Sequence, residues 1–111
     1  MPVTCEVYEH VTVFNLAGEL ASEQAELFKK VVLDALERDA RFVVLNMQAV
    51  PFVDSGGLEA LLWAQEQCEQ RLGHLRLCGL DENLKKIMYV TRLEGQFEAF
   101  DAVTDAVKLM R

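Results

Sequence analysis

No stretch of this chain approaches the roughly 18 consecutive apolar residues that span a bilayer, and the N-terminus carries no basic segment leading into an apolar one. A soluble, unexported protein without membrane insertion is expected. Cysteine is scarce and odd in number: Cys5, Cys68 and Cys78 show no close pairing. That spacing indicates neither a disulfide framework nor a zinc site; reduced thiols in a cytoplasm are the simplest reading. Basic residues are outnumbered, 11 Lys and Arg against 18 Asp and Glu, for a formal charge of −7. Nucleic acid and anionic membrane surfaces both demand a basic face, so neither suits this chain, whereas a protein partner with a basic contact patch does.

Candidates for chemistry are equally few. The two histidines fall in a predicted turn (His10) and at the start of a predicted strand (His74), so neither is placed beside an obvious nucleophile. No metal ligand set and no cofactor motif is visible, and a non-enzymatic protein is expected. What is present is globular composition, half hydrophobic and a quarter charged, in 111 residues, which fits one domain over 1–111 with a single core.

The pattern of elements is that of an α/β fold. Val3, Cys5 and Val7 alternate with Thr4, Glu6 and Tyr8, and Val11 to Leu16 follows after Glu9-His10, which predicts an antiparallel hairpin at a sheet edge. A first helix is predicted from an N-cap at Ser22, with Phe28, Val31, Val32, Ala35 and Leu36 as its apolar face. Phe42 to Leu45 is a continuous apolar run, as expected of a central strand covered on both faces, and Asn46 to Pro51 reads as its exit loop. The second helix is expected from about Ser55 to Leu72, with Leu58, Leu61, Leu62, Cys68 and Leu72 inward and Trp63 at the margin. Gly73 would stop it in a left-handed conformation. His74 to Cys78 is a strand, Asp81 caps a third helix with Leu84, Ile87 and Met88 inward, and Gln96 to Phe100 is a weak last strand. Asp101 then caps a C-terminal helix carrying Val103, Ala106, Val107 and Met110, with Lys108 and Arg111 at its end. Alternating strands and helices in so short a chain imply right-handed crossovers in a mixed sheet of about five strands with about four helices.

The chain is organised around Phe52-Val53-Asp54-Ser55-Gly56-Gly57-Leu58, a sharp entry into the second helix. Ser55 is expected at or beside the N-cap, exposed, its hydroxyl accepting a bond from a first-turn N–H. Taken by itself, that is a capping serine. Two glycines inside a first turn are costly, and a tight turn, a close backbone neighbour or a partner approaching without meeting a Cβ would account for them. The turn lacks the glycine two residues before the serine that marks a hydrolase elbow, and it lacks the lysine of a phosphate-binding loop.

Together these residues resemble a STAS domain, in particular the bacterial anti-sigma factor antagonists. The resemblance runs from Ala17-Gly18-Glu19-Leu20 through Val43-Val44-Leu45-Asn46 and the Asp54-Ser55 turn to Leu75–Gly79, Asn83-Leu84-Lys85-Lys86-Ile87 and Phe97 to Val107. It implies a STAS-type fold and a partner-switching role in transcription regulation. In that role an anti-sigma factor kinase phosphorylates Ser55, a serine phosphatase restores it, and only the unphosphorylated form holds the anti-sigma factor. Gly18, Glu19, Leu20, Asp54, Ser55, Gly56 and Gly57 would then form the partner-binding surface of a monomer or weak dimer. The family's Gly-Glu-Leu-Asp loop reads Gly18-Glu19-Leu20-Ala21 here, and Gly56 stands where a second serine is common. Other members of the family imply other roles: a non-catalytic subunit of a lipid-trafficking ABC transporter, or a scaffold or ligand-sensing domain in a signalling assembly.

Overall fold

A computed structural model describes residues 2–108 and Met110. The chain runs β1 (Val3–Tyr8), β2 (Val11–Ala17), α1 (Ser22–Glu37), β3 (Phe42–Ala49), α2 (Ser55–Gln70), β4 (His74–Cys78), α3 (Glu82–Val90), β5 (Glu98–Phe100) and α4 (Val103–Val107). The sheet order is β1-β2-β3-β4-β5. β1 pairs antiparallel with β2, and every other neighbouring pair is parallel. The mixed five-stranded sheet with four helices is therefore the architecture expected, with the hairpin at one edge. Its turn needs one residue in the left-handed region, and Glu9 takes it at φ 56°.

The apolar run of β3 is divided between two layers. Val43, Leu45 and Met47 join Phe14, Leu16, Leu75 and Leu77 under α1, α2 and α3, whereas Val44 joins Val11, Val13 and Cys78 under α4. Burial on both faces is what allows this strand to dispense with alternation. In α1 the buried residues Ala25, Phe28, Val32 and Leu36 recur at helical spacing, with Val31 and Ala35 at the margin. Trp63 of α2 also lies at the margin of the core, with Lys29 Nζ 5.7 Å from its ring centroid.

Several boundaries differ from the sequence expectation. β3 does not end at Leu45. It continues to Ala49 past an irregularity in its pairing with β2, where Asn15 aligns with Asn46 but Ala17 with Ala49. Asn46 makes this continuation workable: its Oδ1 accepts from Gln48 N–H at 3.1 Å and its Nδ2 donates to Asn15 Oδ1 at 2.8 Å. Polar side chains that signal a loop here repair a strand. At the end of α2, Leu72 is not an inward residue; it is 90% exposed and holds the left-handed position itself at φ 63°. Gly73 is required for another reason, since a Cβ there would lie 1.7 Å from the Arg41 carbonyl oxygen.

The C-terminal helix is shorter than expected. Ala102, not Asp101, occupies its N-cap without a side-chain bond, and α4 ends at Val107. Arg76, unremarked in the sequence pattern, receives that end: its Nη1 donates to the carbonyls of Ala106 and Lys108 at 3.0 and 2.9 Å. Lys108 does lie at the helix end, and Arg111 falls outside the described residues.

Candidate functional site

The late part of β3 brings two loops together. Gly18 N–H donates to the Ala49 carbonyl at 2.9 Å, Leu20 N–H to the Phe52 carbonyl at 3.0 Å, and Asp54 N–H to the Leu20 carbonyl at 3.3 Å. Leu20 and Val53 form an isolated parallel bridge. The segments entering α1 and α2 thus continue the sheet by a few residues, and the two helices start side by side.

Asp54 spans both starts. It is the N-cap of α2, its Oδ1 accepting from Gly57 N–H at 2.8 Å. Its Oδ2 accepts from Ser22 N–H at 3.0 Å and from the Ser22 hydroxyl at 3.3 Å. Ser55, expected at or beside the N-cap, lies beside it as the first helical residue and is exposed, while the capping bond expected from its hydroxyl comes from Asp54. The N-cap of α1 is likewise displaced: Ala21 occupies it, with no side-chain oxygen to offer, and Ser22 is the first helical residue. Where the resembling family has an aspartate on this loop, a carboxylate arrives from across the site. Gln24 Oε1 accepts from Ala21 N–H at 3.2 Å and completes the first turn of α1.

Hydrogen bonds to the charged form hold the Asp54 carboxyl below the usual aspartate range, led by Ser22 N–H and followed by Gly57 N–H. A depressed folded-state pKa contributes stability that is fully present above the unfolded value of about 3.9 and is lost as pH falls toward the folded value. Asp54→Asn should lower the thermal midpoint at neutral pH, because an amide presents one oxygen where two are needed. The gap between the wild type and this variant should shrink as the pH falls below about 4 in melts followed by circular dichroism.

The glycines meet the neighbouring loop. A Cβ on Gly57 would lie 2.0 Å from the Leu20 carbonyl oxygen, and one on Gly56 would lie 2.1 Å from Ser22 Oγ. Close approach of α2 to the α1 entry therefore accounts for them, and the idea that they keep a surface open for a partner is not needed. Leu20 and Gly57 are buried and lie beneath the site, not on it. Gly18 and Glu19 are exposed, Gly18 with φ 89°. Phe52, at the head of the same stretch, is 42% exposed and adds an aromatic surface that the sequence pattern did not single out. The exposed face thus consists of Gly18, Glu19, Ser22, Phe52 and Ser55 around the Asp54 carboxylate. Ser22 brings a second hydroxyl from the facing helix that local sequence around Ser55 cannot show.

The arrangement is poor in catalytic means. Both oxygens of Asp54 are occupied by donors, and none of the ion pairs among the described residues reaches it. His10 is bonded to the Met110 carbonyl, and both His10 and His74 flank Phe42, which begins β3 at the opposite end of the sheet from the α2 entry. No cluster of three or more His, Cys, Asp or Glu with metal-binding geometry occurs among the described residues. Burial pushes the Cys68 and Cys78 thiols up to about 11. No helix is long and apolar enough to cross a membrane among the described residues.

Comparisons with known proteins agree with this architecture. The anti-sigma F factor antagonist of Paenibacillus polymyxa is 20% identical over 108 residues, spanning 96% of this chain and 92% of that protein. The Bacillus cell-fate determinant SpoIIAA in its phosphorylated form superposes with a TM-score of 0.74 at 21% identity, covering 96% of each chain. A sulfate transporter family protein from Wolinella succinogenes superposes with a TM-score of 0.80 at 27% identity, covering 92% of this chain and 85% of that one. The STAS domain family model matches residues 3–106. By that match, together with the sheet order and the paired helix starts, the chain belongs to the STAS domain family.

Proposed function

We propose that this protein is an anti-sigma factor antagonist that switches partners by phosphorylation of Ser55. The single observation that carries the reading is the exposed Ser55 hydroxyl at the first position of α2, directly after an aspartate whose own oxygens are fully engaged. Ser55 is therefore free of structural duty. It is open to an ATP-dependent serine kinase that is itself the anti-sigma factor, and to a phosphatase that reverses the step. Similarity to the Paenibacillus antagonist over most of both chains supports the general role.

The switch follows from charge. A phosphate at Ser55 adds nearly two negative charges, which gain up to about 1 kcal/mol from the helix N-terminus. Repulsion by Asp54 opposes that gain by a comparable or larger amount at an effective dielectric of about 20, and the fold should survive. At an interface without basic partners the same group must be desolvated, which costs several kcal/mol, and each 1.4 kcal/mol weakens binding tenfold. Incubation with the cognate kinase and ATP should add one phosphate, mapped to Ser55 by mass spectrometry, and binding to that kinase should fall at least a hundredfold. Unchanged labelling of Ser55→Ala would overturn the assignment.

The likeness to the Wolinella transporter-family domain favours one other reading, a STAS domain held as a fixed part of a transport assembly. Co-purification with a membrane transporter that survives full phosphorylation would select it.

A further inference from the structure

We infer that a second copy of this chain pairs with it through β1, antiparallel and across a twofold axis at Cys5. The inference begins with the direction of backbone groups in the edge strand. Pro2 carbonyl accepts from Ala17 N–H at 3.1 Å, and the register sets Val3 opposite Leu16. In an antiparallel pair, residues alternate between those that exchange hydrogen bonds with the neighbour and those whose N–H and C=O point away. Thr4, Glu6 and Tyr8 therefore bond to β2, and Val3, Cys5 and Val7 turn their backbone groups outward. The hairpin requires the same phase, because its two-residue loop closes on the bonded pair of Tyr8 and Val11.

An outward set centred on Cys5 is complementary to itself. With Cys5 opposite Cys5 of the second copy, Val3 falls opposite Val7 and Val7 opposite Val3, and each of these residues donates one bond and accepts one. This is an isologous contact that closes at two copies. The edge is lightly protected: Glu6 is the strand's one charged side chain, and there is no lysine, no proline within the strand and no bulge in its pairing with β2. The opposite edge, β5, is protected by its brevity, three residues from Glu98 to Phe100.

Side chains agree on both faces. Val3, Cys5 and Val7 share the face that Phe14 and Leu16 present to α1; Val3 is partly buried against the core, whereas Cys5 and Val7 are exposed, Val7 at 67%. A groove beside β1 is floored by Cys5, Val7 and Phe14 and walled by Val31, Ala35 and Arg38 of α1. Pairing sets Val3 and Val7 of the two copies in contact and extends that apolar strip across the axis. On the other face Glu6 meets Thr4 of the second copy, not another Glu6. Within its own chain the Glu6 carboxylate already accepts from Tyr8 at 2.6 Å and Asn15 at 2.7 Å. The formal charge of −7 on each copy opposes association, so the dimer should tighten as salt screens that repulsion.

The test is sedimentation velocity of the full chain across concentrations up to about 1 mM and at low and high salt, combined with mild oxidation by diamide. The expected result is a dimer fraction that rises with both concentration and salt, and a disulfide-linked dimer mapped by mass spectrometry to Cys5. Bonded antiparallel pairs sit about 5.5 Å apart at Cα, within the range a disulfide spans, and Cys68 and Cys78 are buried. Val7→Lys should weaken the dimer at least tenfold while circular dichroism shows an unchanged fold. Cys5→Pro, which deletes an outward N–H that β2 does not use, should do the same. A chain that stays monomeric throughout, a dimer indifferent to both variants, or a disulfide elsewhere would overturn the inference.

Discussion

Gly57→Ala should destabilise the protein by roughly 3 kcal/mol, the upper end of the usual cost of overpacking. For a domain of this size that corresponds to a fall in thermal midpoint of about 10–15 °C. The cause is backbone against backbone. A Cβ at this position would lie 2.0 Å from the Leu20 carbonyl oxygen and 2.8 Å from Val53 Cγ1. The Leu20 carbonyl cannot simply retreat, because it accepts from Asp54 N–H and its residue is fully buried. Relief therefore requires α2 to move away from the α1 entry, which lengthens the bonds from Asp54 to Ser22 and Gly57. Gly56→Ala should cost less, since the nearest atom it meets, Ser22 Oγ, is the end of a side chain that can rotate. Gly95→Ala is the control: nothing lies within 4 Å of that Cβ, and the change should be neutral or stabilise by up to about 1 kcal/mol. Equal midpoints for Gly57→Ala and Gly95→Ala would refute the close-approach explanation.

Gly73→Ala should be as damaging, for a reason at the other end of α2. Its Cβ would lie 1.7 Å from the Arg41 carbonyl oxygen, which accepts from His74 N–H at 3.0 Å at the start of the β3–β4 pairing. A loss of roughly 3 kcal/mol is expected, measured by urea denaturation with an unchanged m-value. The neighbouring residue should respond in the opposite sense. Leu72 has φ 63° and is 90% exposed, so Leu72→Gly relieves left-handed strain and loses almost no buried surface. A gain of up to about 1 kcal/mol is expected. If Gly73 served as the left-handed stop, as its sequence position suggests, Leu72→Gly would destabilise instead.

These two sites illustrate how far local pattern carries. Element types and their order were legible because hydrophobic periodicity is a local signal: Phe28, Val32 and Leu36 mark a helix face, and the Phe42–Leu45 run marks a doubly covered strand. The Asp81 cap was legible for the same reason, since the N–H of Leu84 it serves is three residues away. The cap expected at Ser22 and the capping bond expected from the Ser55 hydroxyl are both replaced by a single carboxylate, 32 residues from Ser22 along the chain, that serves both helices. Asn46 and Gln48 were read as loop because a strand irregularity and a loop draw on the same polar residues. Likewise a glycine placed for close approach and one placed for left-handed φ look identical in a sequence; only the atoms opposite distinguish Gly57 and Gly73 from Gly18.

Composition and spacing by themselves determined the α/β class, the hairpin edge and the prominence of the Asp54-Ser55 turn, because each depends on residues within a few positions of one another. Tertiary structure decided which of those turn residues are exposed and which are structural. Two helix starts 33 residues apart become neighbours only when β2 and β3 pair in parallel beyond Asn46. That pairing sends Leu20 and Gly57 inward, commits Asp54 to both helices, and leaves Ser55 at the surface.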